Sequence, residues 1–279
     1  MNEIFALFQS PEFLLNALML VGAGAVSGIL AGLLGIGGGA VMVPVLYEFF
    51  GFMGIDEAVR THIAVATSLG VIVPTSIRSF SAHYKKGLVD FNVLKIWFIP
   101  IIIGVVAGVL LMDLASGSLL RAIFAVQTLL IALLMVFNRD GFQLAADLPG
   151  KIAMISYGVF IGIISKLMGI GGGILGSSFM TLFGRSIHQA VSTSAGLGLI
   201  ISIPAVLGDL FFVSPNTELL PIGTIGYVNV LAVSLMIPVS ILCAPIGVKI
   251  AHSLPKRSLE MAFAIFLFSV AARFFVSLF

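Results

Sequence analysis

Apolar runs follow one another along the whole chain with only short polar interruptions. They fall at about 13–35, 38–53, 61–82, 91–112 and 117–137, and again at about 151–168, 172–184, 188–213, 224–250 and 257–278. Several reach the roughly 20 residues that a helix needs to cross the hydrocarbon of a bilayer. The second run of each set is shorter, and the sequence leaves open whether it crosses fully. Between the sets lies the polar stretch Asn138 to Gly150, carrying Arg139, Asp140, Asp147 and Pro149. The pattern predicts an all-α polytopic membrane protein with a first repeat at 1–138, a linker at 139–150 and a second repeat at 151–279.

The two sets match residue by residue. Gly28 and the GIGGG at Gly35 to Gly39 recur 134 positions later as Gly162 and the GIGGG at Gly169 to Gly173. Ala64-Val-Ala-Thr-Ser68 recurs 126 positions later as Ala190-Val-Ser-Thr-Ser194. Gly87-Leu-Val-Asp90 recurs 139 positions later as Gly226-Tyr-Val-Asn229, an offset that also pairs Gly108 with Gly247 and Phe124 with Phe263. Ordered matches over five elements point to duplication. Each GIGGG interrupts an apolar run, and glycine is a poor residue for helix interiors. Paired helix breaks in duplicated halves are a plan of secondary transporters.

Composition narrows the class. Hydrophobic residues make up 59% of the chain and charged residues 9%, against about 25% charged in a soluble domain. The single cysteine, Cys243, excludes an intrachain disulfide and any cysteine-based zinc or iron–sulfur framework. The N-terminal stretch lacks the basic start of a secretory signal, so the run from Phe13 reads as a mature helix.

Positive charge sets the expected orientation, because Lys and Arg favour cytoplasmic loops. If the first two runs of each half form a hairpin, each half crosses an odd number of times and the halves are inverted. With the N-terminus outside, nine basic residues (Lys85, Lys86, Lys95, Arg139, Lys151, Arg185, Lys249, Lys256 and Arg257) lie inside and three (Arg60, Arg121 and Arg273) outside. A parallel arrangement divides them evenly. Inverted repeats are therefore expected, with their Gly-broken helices or hairpins near the midplane.

A helix that restarts after a break presents free N–H groups and the positive end of its dipole, a natural anion site. Gly37, Gly38 and Gly39 and, in the second half, Gly171, Gly172 and Gly173 are placed to supply such groups. Close helix packing is the alternative use of the same glycines. GIGGG lacks the GK[ST] ending of a phosphate-binding loop and follows no strand. Lys166 lies three positions before the second GIGGG, where a charge at membrane depth costs about 3 kcal/mol and marks a functional site by default. No carboxylate lies near it in sequence, so its expected complement is an anion, or a proton that leaves when substrate arrives; a structural lysine snorkelling to an interface is the alternative. The pairs Thr67-Ser68 and Thr193-Ser194 offer hydroxyl donors, or bonds to their own helices. Arg78 offers a bidentate fork to a sulfo or carboxylate group. His62 and His83 are candidate proton relays, and Asp209, toward the outer end of its run, a candidate proton carrier. No metal site and no cofactor is expected.

The run Gly28-Ile-Leu-Ala-Gly-Leu-Leu-Gly-Ile-Gly-Gly-Gly-Ala-Val-Met-Val-Pro44, with the ATS and STS stretches and the GLVDF at Gly87, resembles the TauE/SafE family of sulfite and organosulfur anion exporters. The resemblance covers nearly the whole chain. It implies movement of small anions such as sulfite or sulfonates across the bacterial inner membrane. Lys166 departs from the pattern, standing where a small residue is common. A family branch that handles thiosulfate uses cysteines in its pathway, which the single Cys243 does not match.

The expected function is secondary transport of such an anion by alternating access. Proton coupling is expected because no nucleotide-binding segment is present. The expected partners are the anion and the lipid bilayer; a homodimer is compatible with the sequence, and nothing points to nucleic acid. An anion channel would share these features. An intramembrane serine hydrolase is the more distant alternative, since Ser192-Thr-Ser-Ala-Gly places serines near glycine but no histidine stands in evident register with them.

Overall fold

Backbone in hydrocarbon must satisfy its own hydrogen bonds, and this chain does so with helices almost throughout. The computed structural model describes residues 11–34, 39–85, 87–137, 143–253 and 256–278. The first five helices are α1 (Pro11–Leu34), α2 (Gly39–Phe52), α3 (Glu57–Lys85), α4 (Phe91–Leu114) and α5 (Gly117–Phe137). The next five are α6 (Lys151–Met168), α7 (Gly173–Leu182), α8 (Ile187–Phe211), α9 (Val230–Ser253) and α10 (Lys256–Val276). Five of these, α3, α4, α6, α8 and the Val230–Gly247 part of α9, are long and apolar enough to cross a membrane by length and composition. The chain folds as a multi-pass, all-α membrane protein.

The helices of the short second runs are shorter than a bilayer crossing. At 1.5 Å per residue, the 10 residues of α7 rise about 15 Å, half of a hydrocarbon core of about 30 Å. The 14 residues of α2 also fall short.

The run expected at 224–250 is not one helix. Strands β1 (Thr224–Ile225) and β2 (Val228–Asn229) first pair antiparallel around Gly226, and α9 begins only at Val230. Asn229 makes that stop. Its side-chain oxygen accepts the Ala232 N–H at 2.8 Å, capping α9, while its amide nitrogen donates to Ile222 O and Thr224 Oγ1. Asp90 caps α4 in the same way, accepting from the Asn92 and Val93 amides.

The long helices α3 and α8 cross antiparallel at the centre: Ser76 lies against Gly198, Phe80 against Gly196, and His83 against Ser192. From Ile63 to Leu69, α3 has every apolar side chain fully buried. Around this crossing α1 runs beside α9, α4 beside α6, and α5 beside α10. The outer helices turn apolar stripes away from the core, as Ile99, Ile103, Val106 and Leu110 on α4 illustrate. Gly104 and Gly162 let α4 and α6 touch backbone to backbone. A Cβ on Gly162 would meet Ile101 O and, at 2.9 Å, the Cα of Gly104.

Gly162→Leu is therefore expected to force α4 from α6 and destabilise the protein by about 1–3 kcal/mol, read as a lower unfolding temperature in detergent. Gly22→Leu serves as the control, because no atom lies within 4 Å of the added Cβ. Equal thermal stability of the two variants would refute the close-contact account.

Candidate functional site

The second GIGGG folds as a helix break. Gly169 ends α6 in the left-handed conformation with φ 65°, and its N–H turns back to the Lys166 and Ser165 carbonyls. Ile170 N–H also bonds Ser165 O, at 3.0 Å. Gly172 is left-handed again, with φ 68°, and α7 starts at Gly173 with no side-chain cap. Only glycine takes these backbone angles without strain. The first turn of α7 thus opens with amides that no helix bond uses; the Gly176 N–H to Gly172 O bond begins the ladder.

Two buried hydroxyls stand beside this helix start. Ser165 Oγ, on a residue with no exposed surface, lies next to Gly172. Ser194 Oγ, on a residue 3% exposed, lies next to Gly176. Neither oxygen has a hydrogen-bond partner among the described residues. Amides at a helix N-terminus, with unpaired hydroxyls from α6 and α8 aimed at the same turn, form a donor set suited to an anion's oxygens. Sequence reasoning missed Ser165; its signal was its position four residues before Gly169, one turn back on the same helix.

Lys166 is fully buried, but its complement is a residue of the chain. Its Nζ lies 3.0 Å from Asp209 Oδ1, and neither side chain is exposed. Nζ also contacts Met112 Sδ on α4. Asp209, expected toward the outer surface, is as buried as Lys166, because the β-hairpin folds over the end of α8. The Tyr227 N–H donates to the Asp209 carbonyl at 3.1 Å. The Tyr227 ring stacks on His62, with centroids 4.9 Å apart. Burial and the neighbouring Asp113 carboxylate, to which it bonds, push the Tyr227 phenol up to about 12, so its hydroxyl stays protonated at neutral pH.

The other candidates divide between the two ends of the crossing. At the Asp209 end, His62 Nε2 donates to Met112 O and Ala115 O, both at 3.1 Å, tying α3 to the last turn of α4. Thr67 Oγ1 accepts the Asn229 N–H at 3.0 Å, and Ser68 Oγ donates to Gly169 O at 2.8 Å. At the other end, Thr193 Oγ1 accepts the Asp90 N–H at 2.9 Å. There His83 Nδ1 and Ser192 Oγ lie 3.0 Å apart, a register that the sequence did not reveal. Arg78 is exposed on α3. Gly171 lies against Ile72 and Gly198 at the crossing, and Gly173 opens α7. Gly39 opens α2, whereas Gly37 and Gly38 lie outside the described residues, as does the linker from Arg139 to Phe142. Thus Gly172, Ser165 and Ser194 come together around the break, while the Lys166 side chain leaves α6 toward Asp209 and Met112.

Apolar spanning helices around a buried ion pair and a helix break fit a membrane transport protein. A family model described as "Sulfite exporter TauE/SafE" matches residues 20–274. The chain belongs to that family. A probable membrane transporter protein of Haemophilus influenzae is 31% identical over 254 residues, 91% of this chain and 96% of its own. One from Methanocaldococcus jannaschii is 30% identical over 253 residues, 90% of this chain and 92% of its own. The probable membrane transporter protein YunE of Bacillus subtilis is 24% identical, covering 93% and 97% respectively. No solved structure matches the chain significantly.

An ion pair this deep is sensitive to the loss of either member. Asp209→Ala is expected to lower stability by about 3–5 kcal/mol by leaving Lys166 buried and unpaired, whereas the double variant Lys166→Met with Asp209→Leu recovers most of that loss. Thermal unfolding of the single and double variants in detergent checks this. A double variant no more stable than the single one would show that the pair is not the source of the loss.

Proposed function

We propose that this protein is a secondary transporter that carries small organosulfur anions, sulfite or sulfonates, across a bacterial cytoplasmic membrane by alternating access coupled to protons. The observation that carries the reading is the uncapped start of α7 with the buried, unpartnered Ser165 and Ser194 hydroxyls beside it. A tetrahedral oxyanion fits such a donor set, and burial makes each hydrogen bond to it stronger than in water. The printed description of the matching family, a sulfite exporter, agrees with that chemistry.

The rocking units in this reading are two inverted repeats, 1–138 and 151–279. Reciprocal contacts support them. Gly24 and Gly28 of α1 face Met236 and Ser240 of α9; their counterparts 134 positions on, Gly158 and Gly162 of α6, face Trp97 and Ile101 of α4, each 139 positions back from its own counterpart. Thr67 accepts from Asn229 while Thr193 accepts from Asp90, the same bond made in exchange. Matching helices α3 and α8 run antiparallel, as an axis in the membrane plane requires and one along the membrane normal forbids. Thr67 and Thr193 then serve as the ties between repeats rather than as substrate donors.

Purified protein in proteoliposomes tests the reading with a panel of sulfite, sulfoacetate, isethionate, taurine and plain carboxylates. Saturable uptake of one of the sulfur anions is expected, against the unsaturated conductance of a channel. Ser165→Ala and Ser194→Ala are each expected to raise the half-saturation concentration about tenfold, the loss of one hydrogen bond of about 1.5 kcal/mol to a charged group. Lys166→Gln is expected to abolish uptake. Unchanged uptake by the Lys166 variant would remove it from the mechanism, and no saturable uptake of any anion would end the reading.

A further inference from the structure

A second feature of the buried site is its charge balance. Lys166 and Asp209 together are neutral, and neither has contact with water in this conformation. Asp209 Oδ2 has no hydrogen-bond partner among the described residues, and Oδ1 lies 3.0 Å from Nζ. The carboxylate is therefore held mainly by charge. An anion brought to Lys166 would leave two negative groups around one ammonium, at full burial, a combination that the low-dielectric interior strongly disfavours.

We propose that Asp209 is the proton-binding residue of the transport cycle, taking up one proton for each monovalent anion that Lys166 accepts. The inference rests on the reading of the chain as an anion transporter. The bookkeeping closes on both charge and atoms. Before binding, the ammonium and the carboxylate sum to zero. A proton from water adds to Asp209 Oδ2, forming a neutral carboxylic acid and leaving the site at one positive charge. The anion then restores zero beside Lys166, whose long side chain starts three residues before the Gly169 break. Reversal on the other side releases both, so the translocated unit is electroneutral.

The surrounding groups suit this assignment. Asp113 on α4 stands close to both Asp209 and Tyr227. Tyr227 in the hairpin is bonded to Asp113. His62 on α3 donates through Nε2 to the Met112 and Ala115 carbonyls and stacks on Tyr227, with its buried Nδ1 left without a partner among the described residues. Lys166 itself comes from α6. Among these groups Asp209 alone is fully buried, in contact with Lys166, and left with an unpartnered oxygen.

Calorimetric titration of the full-length protein with isethionate, in buffers of different ionisation enthalpy, counts protons taken up per anion. This sulfonate keeps its own charge through the neutral range, so any proton belongs to the protein. The wild type is expected to take up one proton per anion, and Asp209→Asn none, with affinity that no longer varies with pH. A wild type that takes up no proton, or an Asp209→Asn protein that still takes up one, would overturn the assignment. Infrared difference spectra of the wild type, with and without isethionate, test the same point should the variant fail to fold. A new protonated-carboxyl band is expected, and its absence would refute the proposal. Wild-type protein that binds no anion of the panel would instead remove the transporter reading, and the assignment with it.

Discussion

Every backbone polar group at membrane depth must find its partner inside the protein, and among the described residues the break at Gly169 to Gly172 puts that demand to the test. Its solution organises the centre of the molecule. The Ser165 carbonyl accepts the Ile170 amide, and Ser68 Oγ, reaching across from α3, donates to the Gly169 carbonyl. That bond requires α3 to pass directly over the break, while Gly171 packs against Gly198 of α8. The antiparallel crossing of α3 and α8 thus shields the non-helical backbone on both sides. What remains unsatisfied is the start of α7, where Gly171, Gly173 and Ile174 are only partly buried.

The buried ion pair follows a different logic. Charges taken out of water gain little net stability from each other, because desolvation offsets the attraction. Hydrophobic residues of similar size would hold α6 to α8 at least as well. The zero exposure of Lys166 and Asp209 is therefore not accounted for by packing alone. The hairpin supports this view. It interrupts an apolar run to place Tyr227 against the Asp209 carbonyl and the His62 ring, building a lid over the pair from polar parts.

Much of this was legible in the sequence, and the limits are physical ones. The apolar runs marked the helices because lipid and core impose the same demand at every depth. The glycine spacing located the break at Gly169, and the fixed offsets paired Thr67 with Thr193 before their reciprocal bonds to Asn229 and Asp90 were known. Lys166 stood out because charge is rare in such runs, but its partner lies two helices later and only the fold brings Asp209 to it. Ser165 was invisible for the opposite reason. A serine in a membrane helix ordinarily bonds its own backbone, and only its lack of a partner distinguishes it. The run at 224–250 misled because apolarity does not separate a short hairpin from a helix start; Asn229 decided that, through bonds on both sides of it.

Duplication makes the remaining asymmetry informative. Carried back by the repeat offsets, Lys166 corresponds to Gly32 and Asp209 to His83. One end of the α3–α8 crossing is therefore closed by an ion pair, and the other by the hydrogen bond between His83 and Ser192. In the proposed cycle the two ends respond differently to rocking. The His83–Ser192 contact joins α3 of the first repeat to α8 of the second, so motion of one repeat against the other breaks it. Lys166 and Asp209 both belong to the second repeat, so the same motion carries the pair along intact. The proposed proton and anion therefore act on a charge pair that moves with its own repeat, and only the first repeat's His83 has to let go of its partner.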